Sequence, residues 1–340
     1  MSIQSRKKDH VELTVNEDVF YRKSTGFEAY DFNHNALPET DFDKADSSAN
    51  FLGRTFSLPL FISSMTGGYS DAGAVNATIA TFCEEKNLPF GVGSQRAMLE
   101  DKDQVESFSI VRKHAPSAFI AANIGGAQLI GGIQKRKIRL LTETIQADAV
   151  IIHLNPLQEL MQPEGDTNFK GIRDGIAWFI EYCGLPVIVK ETGAGISAGV
   201  AEELLKIGAK VIDVSGAGGT SWARVENLRK KKIEPLHSFD DWGIPTADCI
   251  VEVNTLREKY AFEMIASGGI RTSFDIVKAM ALGADFAAAA QPIIKAIFSG
   301  GNDELNLLYD HWEQELRIIL TLLGCNNFKE LNKNHLRKSG

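Results

Sequence analysis

Eight short apolar runs punctuate this chain: Leu60–Ser64, Phe90–Val92, Ala118–Ala122, Ala149–Ile152, Val187–Val189, Val211–Val214, Met264–Ala266 and Phe286–Ala290. A continuous apolar run of this kind is what a parallel strand shows when both of its faces are covered. Helical stretches follow the runs, as where Val75, Ile79 and Phe82, or Ile276, Val277, Met280 and Ala281, recur at helical spacing. Strand then helix, repeated eight times, predicts an α/β chain folded as a (β/α)8 TIM barrel. In that fold the groups that bind and react lie at the C-terminal ends of the strands. Here those ends read MTGG, GSQR, NIGG, HLNPLQE, KETG, SGAGGT, SGGIR and AAQP.

A length of 340 residues suits one barrel with extensions. Residues 1–57 form an N-terminal extension expected to pack on the barrel, and residues 58–340 the barrel and its C-terminal helix, a single domain overall. The widest gap, Gly216 to Glu263, is a long insertion between strands six and seven. It holds Trp222, the basic run Arg229-Lys230-Lys231-Lys232 and the segment Trp242-Gly243-Ile244-Pro245-Thr246. Loops this long in barrels act as lids or interfaces, whereas the basic run reads as a solvated helix face. Asn302 to Leu323 predicts a long last helix with Leu305, Leu308, Trp312, Leu316, Ile319 and Leu323 as its apolar stripe and Gly324 as its cap.

The net charge of −8 argues against a nucleic-acid partner, which requires a basic face. Cys83, Cys183, Cys249 and Cys325 lie far apart with no CxxC pair, as thiols in a reducing compartment do. The polar start Met1–His10 has no apolar stretch behind it, and the most apolar segment, Phe286 to Phe298, is too short for a bilayer and carries Gln291 and Lys295. The expectation is a cytoplasmic protein with no membrane partner.

The seventh and eighth runs carry the strongest chemical signal. Ser267-Gly268-Gly269-Ile270-Arg271 and Ala290-Gln291-Pro292 supply glycines for close backbone approach, a helix N-terminus and a guanidinium, the parts of a phosphate site that barrels build there. Gly216-Ala217-Gly218-Gly219-Thr220 adds a third glycine-rich loop on the same side. Lys190, closing the fifth run, has three readings: a charge beside a flavin N1–O2 edge, a Schiff-base lysine, or a partner of Glu191 or a neighbouring carboxylate. His153-Leu154-Asn155-Pro156-Leu157-Gln158-Glu159 gathers polar side chains at the fourth run, where Glu159 suits Mg²⁺ and Gln158 can orient a reacting group. Ser94-Gln95-Arg96 and the arm residues Arg6, Lys7 and His10 form a second cationic cluster. In isolation a basic N-terminus reads equally as a solvated tail; folded over the mouth, it would make room for two anions, a cofactor phosphate and a substrate phosphate.

These motifs, with Met65-Thr66-Gly67-Gly68, Lys190-Glu191-Thr192-Gly193 and the arm Arg6-Lys7-Lys8-Asp9-His10, resemble those of the type 2 isopentenyl-diphosphate isomerases. The likeness runs in order from the arm through the eighth run. The arm, HxNPLQE and WGIPT are its specific parts, since many FMN barrels carry similar glycine turns. The resemblance implies an FMN enzyme, active with the reduced flavin, that interconverts isopentenyl and dimethylallyl diphosphate with Mg²⁺, and NADPH as the reductant. It assigns FMN to Ser64, Met65, Thr66, Ser94, Asn123, Lys190, Ser215, Thr220, Gly269, Arg271, Ala290 and Gln291. Substrate falls to Arg6, Lys7, His10, Ser94, Gln95, Arg96, His153, Asn155 and Gln158, and the metal to Glu159. Gln158, Lys190 and His153 are the implied catalytic residues, Gln158 in an orienting role. Gln291 departs from the family, where a smaller residue is common, so the phosphate contact there is expected through backbone alone. A homo-oligomer, tetramer or octamer, is also implied.

Such an activity asks for a proton to be added at one alkene carbon and another removed two carbons away. Positioned side-chain acids and bases contribute roughly 10²–10⁴-fold, so a cofactor is a natural source of the remainder. The main rival is an FMN-dependent 2-hydroxy-acid oxidase or dehydrogenase, which pairs a base histidine with substrate arginines on late strands; here Arg271 follows Gly-Gly-Ile, as a cofactor-phosphate ligand does, and His153 sits beside a metal-type glutamate. An aldolase using Lys190 and a non-catalytic scaffold barrel are the others.

Overall fold

The computed structural model describes residues 3–69, 71–229 and 234–339, with side chains from Arg6 onward. Eight parallel strands close a barrel: β1 (Leu60–Ile62), β2 (Phe90–Gly91), β3 (Ile120–Gly125), β4 (Ala149–Leu154), β5 (Val187–Glu191), β6 (Val211–Asp213), β7 (Glu263–Ala266) and β8 (Phe286–Ala289). Ring closure comes from β8 against β1, with Ala287 beside Leu60 and Ala289 beside Ile62. All eight apolar runs therefore are strands, and the barrel expected from them is the fold. One displacement occurs at β3, which begins at Ile120 and continues to Gly125. It runs on because Asn123, polar by type, is buried and pairs across to Ile151 of β4.

A hairpin (Ala49–Phe51 with Arg54–Phe56) turns through Leu52 (φ 46°) and Gly53 (φ 76°) and plugs one end of the barrel. Phe51 and Phe56 meet Phe61, Phe119 and Phe286 from three strand regions, with ring centroids 5.2–6.5 Å apart. Burying each of these rings contributes ~2–3 kcal/mol. The Glu263 carboxylate anchors the hairpin turn by accepting from the Leu52 N–H at 3.0 Å and 3.1 Å. Farther along the extension, Tyr30–Phe32 pairs antiparallel with Leu336–Lys338, tying it to the C-terminal segment.

Four helices bear on the site: α1 (Ile3–Asn16), α2 (Pro156–Met161), α3 (Trp222–Arg229) and α4 (Gln291–Leu323). The last helix begins earlier than the expected Asn302. α4 starts at Gln291 directly after β8, breaks at Gly301 (φ 64°), and resumes to the Gly324 cap (φ 75°). Its predicted stripe is buried at Leu305, Trp312, Leu316, Ile319 and Leu323, with Leu308 packed against the core. The basic run departs from expectation: Arg229 is not a solvated face residue but is enclosed and ion-paired to Glu226 and to Glu164 (2.9 Å). Lys230, Lys231 and Lys232 lie outside the described residues. Cys83, Cys249 and Cys325 are buried and Cys183 is partly buried; all four are free thiols. Among the described residues no helix is long and apolar enough to cross a membrane.

Candidate active site

One cavity spans the C-terminal ends of all eight strands, roofed by α1 and α3. The segment Ile3–Asn16 is thus a helix whose Arg6, Lys7, His10, Val11 and Thr14 line the cavity, not a solvated tail. Every sequence-assigned residue except Gln95 is in the lining. Gln95 is fully buried away from it: Nε2 donates to the Leu141 carbonyl (3.0 Å) and Oε1 accepts from the Asn123 N–H (2.9 Å). Its role here is to brace the ends of β2 and β3.

The loops after β6 and β7 pack backbone to backbone. Gly268 (φ 97°) has its Cβ position only 2.0 Å from the Gly216 oxygen, so no side chain fits. A Cβ on Gly219 would likewise stand 2.6 Å from Gly269 N. Arg271 Nη2 donates to Gly218 O (2.9 Å), and its guanidinium lies over Phe20 with 4.9 Å to the centroid. The Trp242–Thr246 segment supports these loops from behind: Thr246 Oγ1 donates to Gly268 O (2.6 Å), and Ile244 O accepts from Ala217 N (2.7 Å). Beside them α4 opens at Gln291 with its N-terminus at the cavity. Among the lining atoms, Ser64 Oγ and Gln291 Nε2 are buried with no hydrogen-bond partner among the described residues. Orphaned polar atoms, a glycine cradle, a helix N-terminus and Arg271 are the donor set a phosphorylated cofactor such as FMN requires. Gln291 Nε2 is a donor left unspent beside the α4 N-terminus.

Lys190 ends β5 with Nζ ringed by acceptors: Glu191 O (2.9 Å), Ser215 Oγ (3.0 Å), and the Asp213 carboxylate (3.5 Å). Of the readings open in the sequence, the neighbouring-carboxylate one is realised with Asp213, not Glu191. Asp213 is itself buried and takes a hydrogen bond from Ser267 Oγ (2.5 Å); burial raises its pKa. The Glu191 carboxylate instead accepts from the N–H groups of Gly193, Ala194 and Gly195 and shapes the loop after β5, while burial pushes it up to about 7.

His153 is held by Asn123, whose Oδ1 lies 2.8 Å from Nδ1 while its Nδ2 donates to Val92 O (3.1 Å). The amide oxygen must accept, so Nδ1 carries the proton and Nε2 is left as an acceptor. Burial, with Lys190 and Lys7 nearby, pushes the imidazole down to about 4, keeping it neutral at pH 7. Asn155 Nδ2 donates to Gln158 Oε1 (3.2 Å) and Glu159 Oε1 (3.0 Å). Among the described residues no three His, Cys, Asp or Glu side chains gather as metal ligands. A divalent cation at Glu159 would accordingly share oxygens with a phosphate-bearing ligand, which suits Mg²⁺.

The second cationic pole lies under α1. Lys7 Nζ donates to Gly67 O (2.6 Å) and Ser94 O (2.7 Å). Desolvation, then the nearby Arg6 and Arg96, push its pKa down to about 7, the direction that burial and like charge give a lysine. His10 Nε2 pairs with Glu226 Oε1 (2.7 Å), and Gln158 Nε2 reaches the same oxygen at 3.4 Å. Glu226 was not visible as a site residue in the sequence, though its position three residues before Arg229 permits their pairing on α3. Trp222, Gln128 and Gln162 are further lining residues without a local motif.

The fold and cavity define an FMN-type α/β barrel, and comparison with known proteins agrees. The model of the family described as FMN-dependent dehydrogenase matches residues 138–338. A flavocytochrome b2 with sulfite bound superposes with a TM-score of 0.71 at 17% identity, covering 97% of this chain and 82% of that one. An (S)-mandelate dehydrogenase gives 0.66 at 15% identity, covering 98% and 92%; at such identity these share the fold alone. Closer in sequence, the isopentenyl-diphosphate delta-isomerase of Chlorobium luteolum is 45% identical over 98% of this chain and 95% of its own length. That of Nostoc sp. is 42% identical over 99% and 95%. The chain belongs to the isopentenyl-diphosphate delta-isomerase family and is an isomerase of the FMN-dependent type.

Proposed function

We propose that this enzyme interconverts isopentenyl diphosphate and dimethylallyl diphosphate by a 1,3-allylic proton shift, with reduced FMN and Mg²⁺, and NADPH as the reductant that readies the flavin. The observation that carries this reading is a single cavity with two separate cationic poles, Arg271 with the glycine cradle at one and Arg6, Lys7 and Arg96 at the other. One phosphorylated ligand would engage only one pole; a flavin phosphate and a substrate diphosphate would engage both. Ser64, Gln291, Arg271 and the loop N–H groups would hold the flavin, and the reduced ring would supply an electron-rich face and a nitrogen able to give and take the proton. Lys190, fixed by Asp213 and Ser215, would place a cation at the rim of that ring. Neutral His153 offers an acceptor and cannot serve as an acid at pH 7. Gln158, held between Asn155 and Glu226, would orient the reacting carbons without exchanging a proton itself. The arm, Glu159 and its cation would clamp the diphosphate so that α1 and Trp222 exclude water from the short apolar tail. The family resemblance supports a cytoplasmic homo-oligomer, tetramer or octamer.

Two variants separate the poles. Arg271→Ala should raise the Kd for FMN with little change in KM for isopentenyl diphosphate at saturating FMN, and Arg96→Ala the reverse. Both changes falling on the same ligand would refute the two-anion reading.

A further inference from the structure

Glu159 is held by the loop that follows it. α2 ends at Met161 and the chain folds back so tightly that a Cβ on Gly165 would stand 1.9 Å from the Glu159 carbonyl oxygen. That return brings the Asp166 N–H to Glu159 Oε2 (2.7 Å), while Asn155 Nδ2 donates to Oε1 (3.0 Å). Two neutral donors fix the carboxylate, and each oxygen keeps a lone pair for a hard cation.

The side chain of the same Asp166 serves the neighbouring loops. Its Oδ2 accepts from Arg96 Nη1 and from Gln128 Nε2, each at 3.2 Å. Arg96 opens the short helix after β2, Gln128 lies in the turn after β3, and both line the cavity. Glu100 holds Arg96 Nε (2.9 Å), so the guanidinium is oriented from two sides and these contacts use only part of its donor set. Through backbone and side chain, Asp166 therefore joins the ends of β2, β3 and β4.

We propose that Asp166 is a positioning residue that couples metal binding to diphosphate binding, setting the spacing between the Glu159 carboxylate and the Arg96 guanidinium so that one diphosphate meets both. The proposal rests on the diphosphate and divalent-cation reading above. A diphosphate that chelates a cation presents its remaining oxygens at fixed separation, and misplacing one partner weakens the contact to the other. Such coupling is reciprocal: whatever factor the cation adds to diphosphate affinity, the diphosphate adds to cation affinity.

Calorimetry of inorganic pyrophosphate binding to the FMN-loaded full chain, with and without saturating Mg²⁺, reads that factor directly. In Asp166→Ala the backbone N–H to Glu159 remains while Arg96 and Gln128 lose their shared acceptor. The factor by which Mg²⁺ tightens pyrophosphate binding should fall at least ~5-fold. Asp166→Asn, which keeps one acceptor oxygen, should restore most of it, and unchanged flavin content in both variants reports an intact barrel. A merely structural residue would weaken pyrophosphate equally with and without Mg²⁺; that result, or an undiminished factor, overturns the proposal. If the wild-type protein itself shows no Mg²⁺-dependent pyrophosphate binding, the diphosphate reading fails first and takes this inference with it.

Discussion

Lys7 carries a proton count that the structure turns into a pH profile. A lysine ammonium has three N–H groups and the neutral amine two. Two are spent on the carbonyls of Gly67 and Ser94, so the third, the one an anion in the cavity can use, exists only while Lys7 is protonated. With its pKa pushed down to about 7 in the free protein, the protonated fraction is roughly one half at pH 7, one tenth at pH 8 and one hundredth at pH 9. Loss of one charge-assisted hydrogen bond costs about 1.5–3 kcal/mol, roughly 10–150-fold. The sign follows: a bound diphosphate favours the ammonium and raises its pKa, so with rising pH kcat/KM falls and KM rises while kcat stays level through the same window. Lys7→Gln keeps donors for both carbonyls and removes the charge. The ratio of wild-type to variant kcat/KM should be ~10–150 at pH 6 and decline toward ~1 by pH 9, at most tenfold per unit. Substrate ionisation is common to both enzymes and cancels in the ratio. A ratio independent of pH, or a loss residing in kcat, would refute the donor count.

Two other perturbations bear on the remaining groups. Glu159→Gln should lower Mg²⁺-dependent turnover by at least ~100-fold with flavin stoichiometry unchanged; a colourless variant would place the metal ligand elsewhere. His153 titrates near 4 in the folded protein and near 6.5 when unfolded, so the unfolded state binds more protons between those values and stability falls as pH drops through that window. Urea midpoints at pH 7 and pH 5 should differ less in His153→Gln than in the wild type, and an equal difference would mean that the imidazole is not held neutral.

The barrel was legible because a doubly covered strand must be apolar throughout, and eight such runs left little else to build. The glycine-rich loops after β6 and β7 were legible for a similar reason: backbone contacts as close as Gly268 against Gly216 admit only glycine. What the sequence concealed is which way a polar side chain turns. Ser94-Gln95-Arg96 reads as one cationic and hydroxyl cluster, yet Ser94 and Arg96 line the cavity while Gln95 between them is buried under β3. Arg229 looked like part of a solvated run until Glu226, Glu164 and α1 closed around it. Asp166, Asp213 and Glu226 have no motif of their own; each acts through partners brought together by the barrel's closure, such as Arg96 for Asp166 and Lys190 for Asp213.

The central claim is that flavin and diphosphate occupy this cavity together and that the double bond moves only when both are present. Anaerobic incubation of isopentenyl diphosphate with the purified protein, reduced FMN and Mg²⁺, each omitted in turn, addresses it most directly. Dimethylallyl diphosphate should accumulate in the complete mixture and in none of the omissions once the protein is stripped of flavin and metal. Undiminished conversion by the flavin-free protein would contradict the account.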